Sequence, residues 1–483
     1  MSDIHANFIA GAWKNNGDLI ANVNPSDTHD TIGQYSQASI AQLDEALENA
    51  SSARRVWARS GLENRQKVLM AIGEELMFRS TELGELLSRE EGKPRAEGVG
   101  EVYRAGQFFT YFAAEVLRQQ GDATDSVRDG VEIDVRREAM GTVAVISPWN
   151  FPMATAAWKI APALAFGNAV IWKPANLTPA SAWALSEIIS RQDVPVGLFN
   201  LVMGAGSAIG QTLIESPLVD AITFTGSLDV GRQIAAAAAT NLTKFQLELG
   251  SKNALVVMDD ADIDVAVSAA LGGAYGGTGQ KCTASSRLVV HDAVHDVFVE
   301  RLMTGINGLK VDHALKEGTT VGPAVSDDQL KANLDYISLA REEGCEIACG
   351  GERLERETPG YYMSPALLLG AKNNLRTCRE EMFAPIASVI KVGSYDEALV
   401  VTNDTEYGLT AGIISSSLAR ASHFRRNVET GCVMVNLPTA GTDYHVPFGG
   451  RKNSSFGSRE QGSYAVEFYT QVKTSYIHAG AVI

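Results

Sequence analysis

One cysteine of the chain, Cys282, lies in the stretch GGTGQKCTAS (residues 276–285), among glycines and small polar residues. A structural cysteine usually packs among apolar side chains, so this setting makes Cys282 a candidate nucleophile. A thiolate that attacks a carbonyl carbon needs an N–H donor for the oxyanion and a base that activates water to hydrolyse the thioester. Asn150 in SPWNFP and Glu248 in FQLELGSKN offer one candidate for each role, and both lie at predicted element boundaries.

Asn150 and Glu248 also admit purely structural interpretations. Glu248 stands between Leu247 and Leu249, and burial there raises the free energy of a charged carboxylate, so the group is either paired or functional. A structural ion pair therefore remains open for Glu248. Asn150 lies between a strand end and a proline-containing helix start, where capping of a turn remains open for its amide.

Two glycine-containing segments are candidates for a nucleotide site. In GAGSAIG (204–210) the third glycine comes one place late for the G-x-G-x-x-G pattern, so ordinary turn glycines remain the alternative. FTGSLDVGR (224–232) is better placed, because a buried strand ends at Phe224 and a helix starts near Ser227, where free N–H groups could hold a phosphate. With a nucleotide, the chemistry becomes hydride transfer from a thiohemiacetal followed by hydrolysis of the thioester.

The elements that must position these residues follow a simple order. Residues 38–120 carry helical periodicity, and 121–139 alternate around an Asp-Gly pair, which predicts a β-hairpin. From Gly141 the chain alternates strand and helix, and a second such set runs from ALVVMDD to about residue 430. The last strand-like segment is FYTQVKTSYIHAGAVI. We predict an α/β fold with two doubly wound parallel sheets.

Composition restricts the partners and the compartment. A chain of 483 residues is too long to fold around one ordinary hydrophobic core, so two or more domains are expected. The formal charge of −16 argues against nucleic acid or an anionic membrane as partner. Five widely spaced cysteines do not form a disulfide framework, and Cys345 and Cys349 lack further ligands for zinc, so we predict no metal site. The start MSDIHANFIAGAWKNNG lacks the features of a signal sequence, and no apolar run would span a membrane. We expect a cytoplasmic protein.

Seven motifs in order give the chain a resemblance to the NAD(P)-dependent aldehyde dehydrogenases over essentially its whole length. They are PWNFP (148–152), WKPA (172–175), FTGS (224–227), LELGSKN (247–253), GQKCTAS (279–285), EEMFAP (380–385) and PFGGRKNSSFG (447–457).

The resemblance assigns catalytic roles: Cys282 as nucleophile, Glu248 as base for the hydrolytic water, and Asn150 as oxyanion donor together with the backbone N–H of Cys282. It places Lys159 and Glu460 at positions sometimes assigned to a proton path. It implies binding of the cofactor by Trp149, Lys173, Asn176, Gly206, Phe224, Gly226, Ser227, Gly250, Glu381 and Phe383, with Lys173 at the adenosine ribose, Ser227 near the pyrophosphate, and Glu381 and Phe383 at the nicotinamide ribose and ring.

Two departures from the family pattern bear on the cofactor. The family commonly has Glu three residues after the ribose lysine, whereas this chain has KPAN, with neutral Asn176. Loss of that carboxylate removes repulsion against a 2′-phosphate, so we expect NADP or NAD, with NADP slightly favoured. The second departure is Ala384 in EEMFAP, where the family usually has Gly, and it is expected to shift the loop that carries Glu381 slightly.

The expected substrate is an aldehyde that bears a carboxylate. The resemblance places Arg104, Phe151 and Trp158 at the substrate tunnel, and Arg104 would pair with a carboxylate at the far end of the substrate. A solvated helix arginine remains open for Arg104. Residues 443–462 and the opening segment are most similar to the 2-oxoglutarate semialdehyde (2,5-dioxopentanoate) dehydrogenases, which implies oxidation of that semialdehyde to 2-oxoglutarate.

Three alternatives to this function remain open. One is a dehydrogenase for succinate or glutarate semialdehyde, since a tunnel separates such analogues only modestly. Another is a relative that passes the thioester to CoA or phosphate, against which Glu248 argues. The third is a catalytically silent homologue, against which the intact Cys, Glu and Asn set argues.

The resemblance also implies the domain organisation. Residues 1–120 and 140–248 would form a Rossmann-like cofactor-binding domain, 249–435 the catalytic domain, and 121–139 with 463–483 a small β element for bridging and oligomerisation. A hairpin with unpaired edges needs a partner, so we expect a homodimer or a homotetramer.

Overall fold

A computed structural model gives the architecture of residues 4–118 and 121–480. Residues 1–3 of the N-terminal segment, residues 119 and 120, and residues 481–483 at the end of the predicted C-terminal strand lie outside the described residues. The order of strands and helices along the described chain is that of an α/β protein.

The strands are β1 (Ile4–His5), β2 (Asn7–Ile9), β3 (Ala12–Lys14), β4 (Leu19–Val23), β5 (Thr31–Ser36), β6 (Asp122–Asp125), β7 (Val131–Ala139), β8 (Thr142–Ile146), β9 (Ala169–Lys173), β10 (Phe199–Leu201), β11 (Ala221–Thr225), β12 (Lys244–Glu248), β13 (Asn253–Val257), β14 (Ser285–His291), β15 (Glu346–Cys349), β16 (Ala366–Leu369), β17 (Ile386–Val392), β18 (Tyr407–Gly408), β19 (Thr410–Ile414), β20 (Cys432–Val435), β21 (Arg451–Lys452), β22 (Ser455–Phe456) and β23 (Thr470–His478). The helices are α1 (Ile40–Trp57), α2 (Leu62–Phe78), α3 (Ser80–Glu91), α4 (Arg95–Glu115), α5 (Ala154–Ala165), α6 (Pro179–Ser190), α7 (Gln211–Glu215), α8 (Leu228–Asn241), α9 (Ile263–Ala274), α10 (Asp292–Asn307), α11 (Asp327–Glu342), α12 (Arg376–Arg379), α13 (Tyr395–Asn403), α14 (Leu418–Asn427) and α15 (Val466–Tyr469).

The first large sheet has the strand order β22-β12-β11-β8-β9-β10-β2-β3. Strands β12, β11, β8, β9 and β10 are parallel, and β22 and β2 run antiparallel to their neighbours. The chain proceeds from β8 to β9 and β10 on one side and then to β11 and β12 on the other, so the order reverses at β8. In doubly wound sheets, ligands bind at the carboxyl ends of the strands beside such a reversal.

The second large sheet has the order β15-β16-β17-β14-β13-β19-β20, and all its pairings except β15 with β16 are parallel. Its central strands are buried and largely apolar: in β13 (Asn253–Val257) four buried apolar residues follow a buried asparagine, as expected of strands covered by helices on both faces. The predicted α/β class with two doubly wound sheets is confirmed. The domain boundaries given above remain predictions.

The predicted hairpin at 121–139 is present as β6 and β7, which pair antiparallel. β23 pairs with β7 along its whole length, from Thr470 opposite Ala139 to His478 opposite Val131. The strand begins two residues later than the sequence pattern indicates, because Val466–Tyr469 form the last short helix. The resulting sheet has the order β23-β7-β6 and leaves β6 and β23 as edges.

Helix α5 begins at Ala154, although the sequence pattern indicates a helix from Phe151. The difference has a local cause: the backbone N–H groups of Met153 and Ala154 donate to the Glu101 carboxylate at 3.0 and 3.2 Å, so this acid on α4 satisfies the first free donors of the helix. The residues before Ala154 are thereby held as a loop. Over residues 4–118 and 121–480, no helix is both long and apolar enough to cross a membrane.

Candidate active site

The carboxyl ends of the parallel strands in the first sheet surround a cavity of about 240 Å³. Asn150 follows β8 by four residues, Gly226 follows β11, and Glu248 is the last residue of β12. The second sheet contributes the Cys282 loop, which lies just before β14. The cavity is lined by Cys282, Asn150 and Glu248 together with Trp149, Phe151, Trp158, Gly226, Ser227, Gly250, Glu381 and Phe383.

The Cys282 loop depends on a left-handed turn of the backbone. Gly277, Thr278 and Gly279 all have positive φ, at 58°, 58° and 65°. A Cβ at Gly279 would lie 2.1 Å from the carbonyl oxygen of Ala384, so only glycine fits there. The carbonyl of Cys282 accepts a hydrogen bond from Asn253 Nδ2 at 2.7 Å and another from the Ser251 hydroxyl. These contacts place the thiol at the cavity wall.

The surroundings of Cys282 favour the protonated thiol over the thiolate. Burial raises its pKa most, and the nearby carboxylates of Glu381 and Glu248 raise it further. A thiol in this state is a poor nucleophile. A positive charge beside the sulfur would lower the pKa of the thiol. The nicotinamide ring of an oxidised dinucleotide carries such a charge.

The side-chain amide of Asn150 is oriented by the Cys282 loop itself, the nucleophile loop, which joins α9 to β14 (residues 275–284). Its Nδ2 donates to the carbonyl of Gln280 at 2.9 Å, two residues before the nucleophile. An amide nitrogen carries two N–H groups, so the second remains for a ligand in the cavity. Asn150 is 5% exposed. The arrangement supplies a neutral donor beside the thiol, as an oxyanion site requires.

Glu248 is a buried carboxylate with one good hydrogen bond. Ser455 Oγ donates to Glu248 Oε2 at 2.7 Å from the neighbouring strand β22. A Cβ at Gly449 would lie 2.8 Å from Glu248 Oε1, so this glycine leaves room for the acid. Burial raises the pKa of Glu248 well above its usual range, and the charge of Glu460 raises it further, whereas the Ser455 bond and Lys159 lower it. A raised pKa makes the Glu248 carboxylate a stronger base than an ordinary glutamate, which suits the role of general base.

Lys159 and Glu460 form a buried ion pair within a polar network. Lys159 Nζ also donates to Thr223 Oγ1 at 2.9 Å, and Gln246 Nε2 donates to Glu460 Oε1 at 3.0 Å. The charge of Glu460 acts on Glu248, as the pKa of that acid indicates. A role of this pair in moving a proton remains a prediction.

Several features of the cavity and its rim fit a dinucleotide. Ser227 caps α8 without a side-chain hydrogen bond, so the first backbone N–H groups of that helix remain available to a phosphate. Glu381 is held by the backbone N–H of Ser251, which donates to its Oε1 at 2.8 Å, and burial raises the pKa of this acid to about 7. The rings of Trp149 and Phe383 meet edge to face at 5.4 Å between centroids. A Cβ at Gly250 would lie 2.5 Å from Glu381 Oε2.

The remaining predicted cofactor residues do not line this cavity. Lys173 is the last residue of β9, and its ammonium donates a hydrogen bond to the carbonyl of Pro174. Burial lowers the pKa of this ammonium to about 8. An ammonium has three N–H groups, so this buried side chain can also donate to a ribose hydroxyl. Phe224 is buried in β11, with its ring against Gly226. Gly206 opens an exposed π-helical turn, Gly206–Gly210, which continues into α7.

Asn176 is bonded to the backbone of the glycine-containing segment. Its amide is assigned with Nδ2 toward the carbonyl of Gly204, at 2.8 Å, and Oδ1 toward the N–H of Ala205, at 3.3 Å, because this orientation pairs both atoms. Asn176 therefore holds the segment 204–206 against the end of β9 and adds no charge there. Residues 203–217 contain no Lys or Arg.

Two of the predicted substrate residues, Trp158 and Arg104, are connected by a chain of aromatic contacts, and the third, Phe151, lines the cavity. Trp158 and Phe448 line the cavity with ring centroids 5.8 Å apart, and Phe108 on α4 meets Trp158 at 5.7 Å. Phe108 also meets Tyr444 at 6.5 Å, and the Arg104 guanidinium lies over the Tyr444 ring at 5.4 Å. Arg104 is half-buried, and it takes part in none of the ion pairs among residues 4–118 and 121–480.

Sequence reasoning missed three residues that orient the predicted ones: Ser455 and Lys93 act through their side chains, and Gln280 acts through its backbone carbonyl. Ser455 lies within PFGGRKNSSFG and Gln280 within GQKCTAS, so motif membership could have indicated both. Lys93, which donates to the carbonyl of Asn150 at 2.5 Å, lies in the segment EEGKP with no signal of its own.

Comparison with known proteins gives full-length matches. The profile of the aldehyde dehydrogenase family matches residues 13–475. The alpha-ketoglutaric semialdehyde dehydrogenase of Bacillus subtilis (strain 168) is 37% identical over 477 residues, which are 98% of this chain and 98% of the relative. The alpha-ketoglutarate semialdehyde dehydrogenase of Haloferax volcanii is 36% identical over 99% of both chains, and the 2,5-dioxopentanoate dehydrogenase of Saccharolobus solfataricus is 35% identical over 97% and 98%.

Solved structures show the same fold. Betaine aldehyde dehydrogenase from Staphylococcus aureus in complex with NAD+ superposes with a TM-score of 0.96 at 30% identity, covering 99% of this chain and 96% of that one. An E. coli NADP dependent enzyme superposes with a TM-score of 0.95 at 34% identity, covering 98% of both chains.

Proposed function

The chain belongs to the aldehyde dehydrogenase family, and from that premise we propose that Cys282, Asn150 and Glu248 oxidise 2-oxoglutarate semialdehyde to 2-oxoglutarate with NAD(P)+. The observation that carries the proposal is the single cavity that all three side chains line. The substrate comes from the semialdehyde dehydrogenases that match over nearly the full chain at 35% to 37% identity.

The chemistry divides among the three side chains. Cys282 first gives its proton to water, and its thiolate sulfur then attacks the aldehyde carbon. The resulting oxyanion accepts hydrogen bonds from Asn150 Nδ2 and the Cys282 backbone N–H. Bound NAD(P)+ supplies the acceptor for the hydride. Glu248 then removes a proton from a water that attacks the thioester carbon, and Cys282 leaves as the thiolate. Lys173, Ser227 and Glu381 would hold the cofactor.

The decisive test compares products and substrates. We expect the purified protein to release free 2-oxoglutarate at the same rate with and without CoA, because Glu248 directs water to the thioester. Initial rates with 2-oxoglutarate, succinate and glutarate semialdehydes should place the highest kcat/KM on the first. Formation of an acyl-CoA would support the CoA-acylating alternative, and no turnover of any aldehyde would support the silent homologue.

Arg104 is proposed to bind the substrate carboxylate. Replacement of Arg104 by leucine should raise the KM for 2-oxoglutarate semialdehyde about 10- to 100-fold, because a charge-assisted bond is worth roughly 1.5–3 kcal/mol. The KM for a neutral aldehyde of similar length should change little. Steady-state kinetics with both aldehydes measure the difference.

Arg95 provides the matched control for this substitution. It begins the same helix and pairs with Glu85 on the surface, so Arg95→Leu removes an arginine from α4 without reaching the tunnel. An equal rise in KM for both aldehydes in Arg104→Leu would show that the residue supports packing instead of recognising the carboxylate.

We propose that the protein uses both NADP and NAD, because the segment beside Asn176 is permissive for a 2′-phosphate and offers no arginine or lysine to select it. Replacement of Asn176 by glutamate should lower kcat/KM for NADP by at least about 10-fold, since a carboxylate there would face the 2′-phosphate. The value for NAD should be maintained.

The ratio of the two kcat/KM values, measured at saturating aldehyde, reports this preference. Asn176→Gln is the neutral control and should keep the wild-type ratio. A wild-type ratio in Asn176→Glu would mean that the 2′-position of the bound cofactor lies elsewhere.

The three-stranded sheet β23-β7-β6 supports a proposal of homo-oligomerisation. Within residues 4–118 and 121–480 no further strand pairs with its edges, and Val472, Tyr476 and Ile477 of β23 are exposed apolar side chains. Unpaired edges with apolar side chains favour association with another chain. A second copy of this chain is the proposed partner, and light scattering would give the number of copies.

A further inference from the structure

Helix α4 carries two carboxylates one turn apart. One contacts the nucleophile loop, and the other contacts the backbone where the loop after β8 enters α5. Glu97 Oε1 accepts a hydrogen bond from the backbone N–H of Gly277 at 2.9 Å, and its Oε2 lies 3.3 Å from Lys281 Nζ, so this acid contacts the nucleophile loop. Glu101, four residues later, accepts from the backbone of Met153 and Ala154, as described above. Residues four apart lie on one face of a helix, so a single rigid element contacts both loops.

Lys93 contacts the loop between β8 and α5 (residues 147–153), which is the oxyanion loop because it carries Asn150. Its Nζ donates to Glu101 Oε2 at 2.7 Å and to the carbonyl oxygen of Asn150 at 2.5 Å. It also lies 4.0 Å from the centroid of the Phe151 ring, and its backbone N–H donates to Glu91 Oε2 at 2.9 Å. Lys93 is 2% exposed, and Glu101 is 5% exposed. Glu91 Oε2 lies 3.8 Å from Lys93 Nζ. A buried ion pair that is hydrogen-bonded in this way holds its neighbours rigidly.

The two loops also bond each other through Asn150 Nδ2 and the Gln280 carbonyl. The distance between the oxyanion donor and the thiol therefore depends on where α4 holds each loop. An error of 1 Å in such a distance can cost about 100-fold in rate.

We propose that Lys93, Glu97 and Glu101 form a positioning clamp that fixes the oxyanion donor relative to the nucleophile. These three are positioning residues, because each acts through backbone groups of the two loops. The inference rests on the proposed function, since it assumes that Asn150 stabilises the oxyanion.

The variants must remove the clamp without leaving a lone buried charge, which would destabilise the fold. Glu101→Gln keeps an acceptor for the two backbone N–H groups. The double variant Lys93→Met/Glu101→Gln removes both charges of the pair together. Glu91, whose Oε2 lies 3.8 Å from Lys93 Nζ, has a pKa that burial raises to about 7, so it takes up a proton once the lysine is gone. Glu97→Gln tests the nucleophile side, where both partners are partly exposed. Glu85→Gln is the matched control, because Glu85 on α3 forms a surface ion pair with Arg95, the first residue of α4, and contacts neither of the described loops 147–153 and 275–284.

We expect the double variant to lower kcat about 10- to 100-fold with a KM within about 3-fold of wild type. Alkylation of Cys282 by iodoacetamide in the cofactor-free protein should stay within about 2-fold of wild type, since that reaction needs the thiol but no oxyanion donor. Glu97→Gln should lower kcat and also change the alkylation rate. Glu85→Gln should behave as wild type.

A double-mutant cycle with Asn150→Ala separates positioning from general stability. If the clamp acts through Asn150, adding Lys93→Met/Glu101→Gln to Asn150→Ala should lower kcat by less than about 3-fold more, because the losses are shared. Effects that multiply fully, or a wild-type kcat in the clamp variants, would overturn the inference. A wild-type kcat in Asn150→Ala alone would instead contradict the proposed function.

Discussion

Replacement of Cys282 by serine should lower kcat for aldehyde oxidation on the order of 10⁴-fold or more, as expected when a covalent nucleophile is lost. The hydroxyl would occupy the same loop, whose carbonyl stays bonded to Asn253 and Ser251. It would remain protonated, because a serine hydroxyl has a far higher pKa than a thiol, and the cavity carboxylates already disfavour an anion at this position.

Two measurements make this prediction specific. The affinity for NAD(P)+, followed by quenching of tryptophan fluorescence, should be retained, because the proposed cofactor contacts lie on other residues. Cys349→Ser is the matched control: Cys349 is a half-buried thiol in the edge strand β15 and does not line the cavity. Full turnover in Cys282→Ser, or equal loss in Cys349→Ser, would remove Cys282 from the role of nucleophile.

The residues at strand ends could be predicted from sequence because their signals are local. A buried run that ends near a polar residue and a proline or glycine marks the end of a parallel strand, and Asn150, Gly226 and Glu248 each lie within four residues of such an end. The topology then brings such ends to one edge. The two sheets and the hairpin could be predicted for the same reason, since each depends on alternation within a short window.

The contacts that orient these residues could not be predicted in this way. Lys93 and Asn150 are 57 residues apart, and Ser455 and Glu248 are 207 apart. In the sequence, Glu97 and Glu101 match the solvated face of an amphipathic helix, and only the tertiary packing buries Glu101 against α5. The same contact explains why α5 begins at Ala154 and not at Phe151. Pairings at such separations leave no periodicity in the sequence.

Replacement of Glu248 by glutamine should separate the two halves of the reaction. The amide has nearly the shape of the acid but cannot accept a proton, so thioester formation should proceed and its hydrolysis should slow by about 10²- to 10⁴-fold. We therefore expect a burst close to one equivalent of NAD(P)H per active site, followed by a slow steady state. Rapid mixing with 2-oxoglutarate semialdehyde measures the burst, and intact-protein mass spectrometry should detect the acyl group on Cys282.

The pH dependence of the steady state provides an independent check on Glu248. Because burial and Glu460 raise the pKa of Glu248, the carboxyl stays protonated at pH values where an ordinary glutamate is ionised. The rate of hydrolysis should thus rise with pH as Glu248 loses its proton, and Glu248→Gln should lose this rise. Ser455→Ala removes the hydrogen bond that lowers the pKa, so its profile should shift to higher pH. A Glu248→Gln variant without a burst, or with the wild-type pH profile, would assign the hydrolytic base to another group.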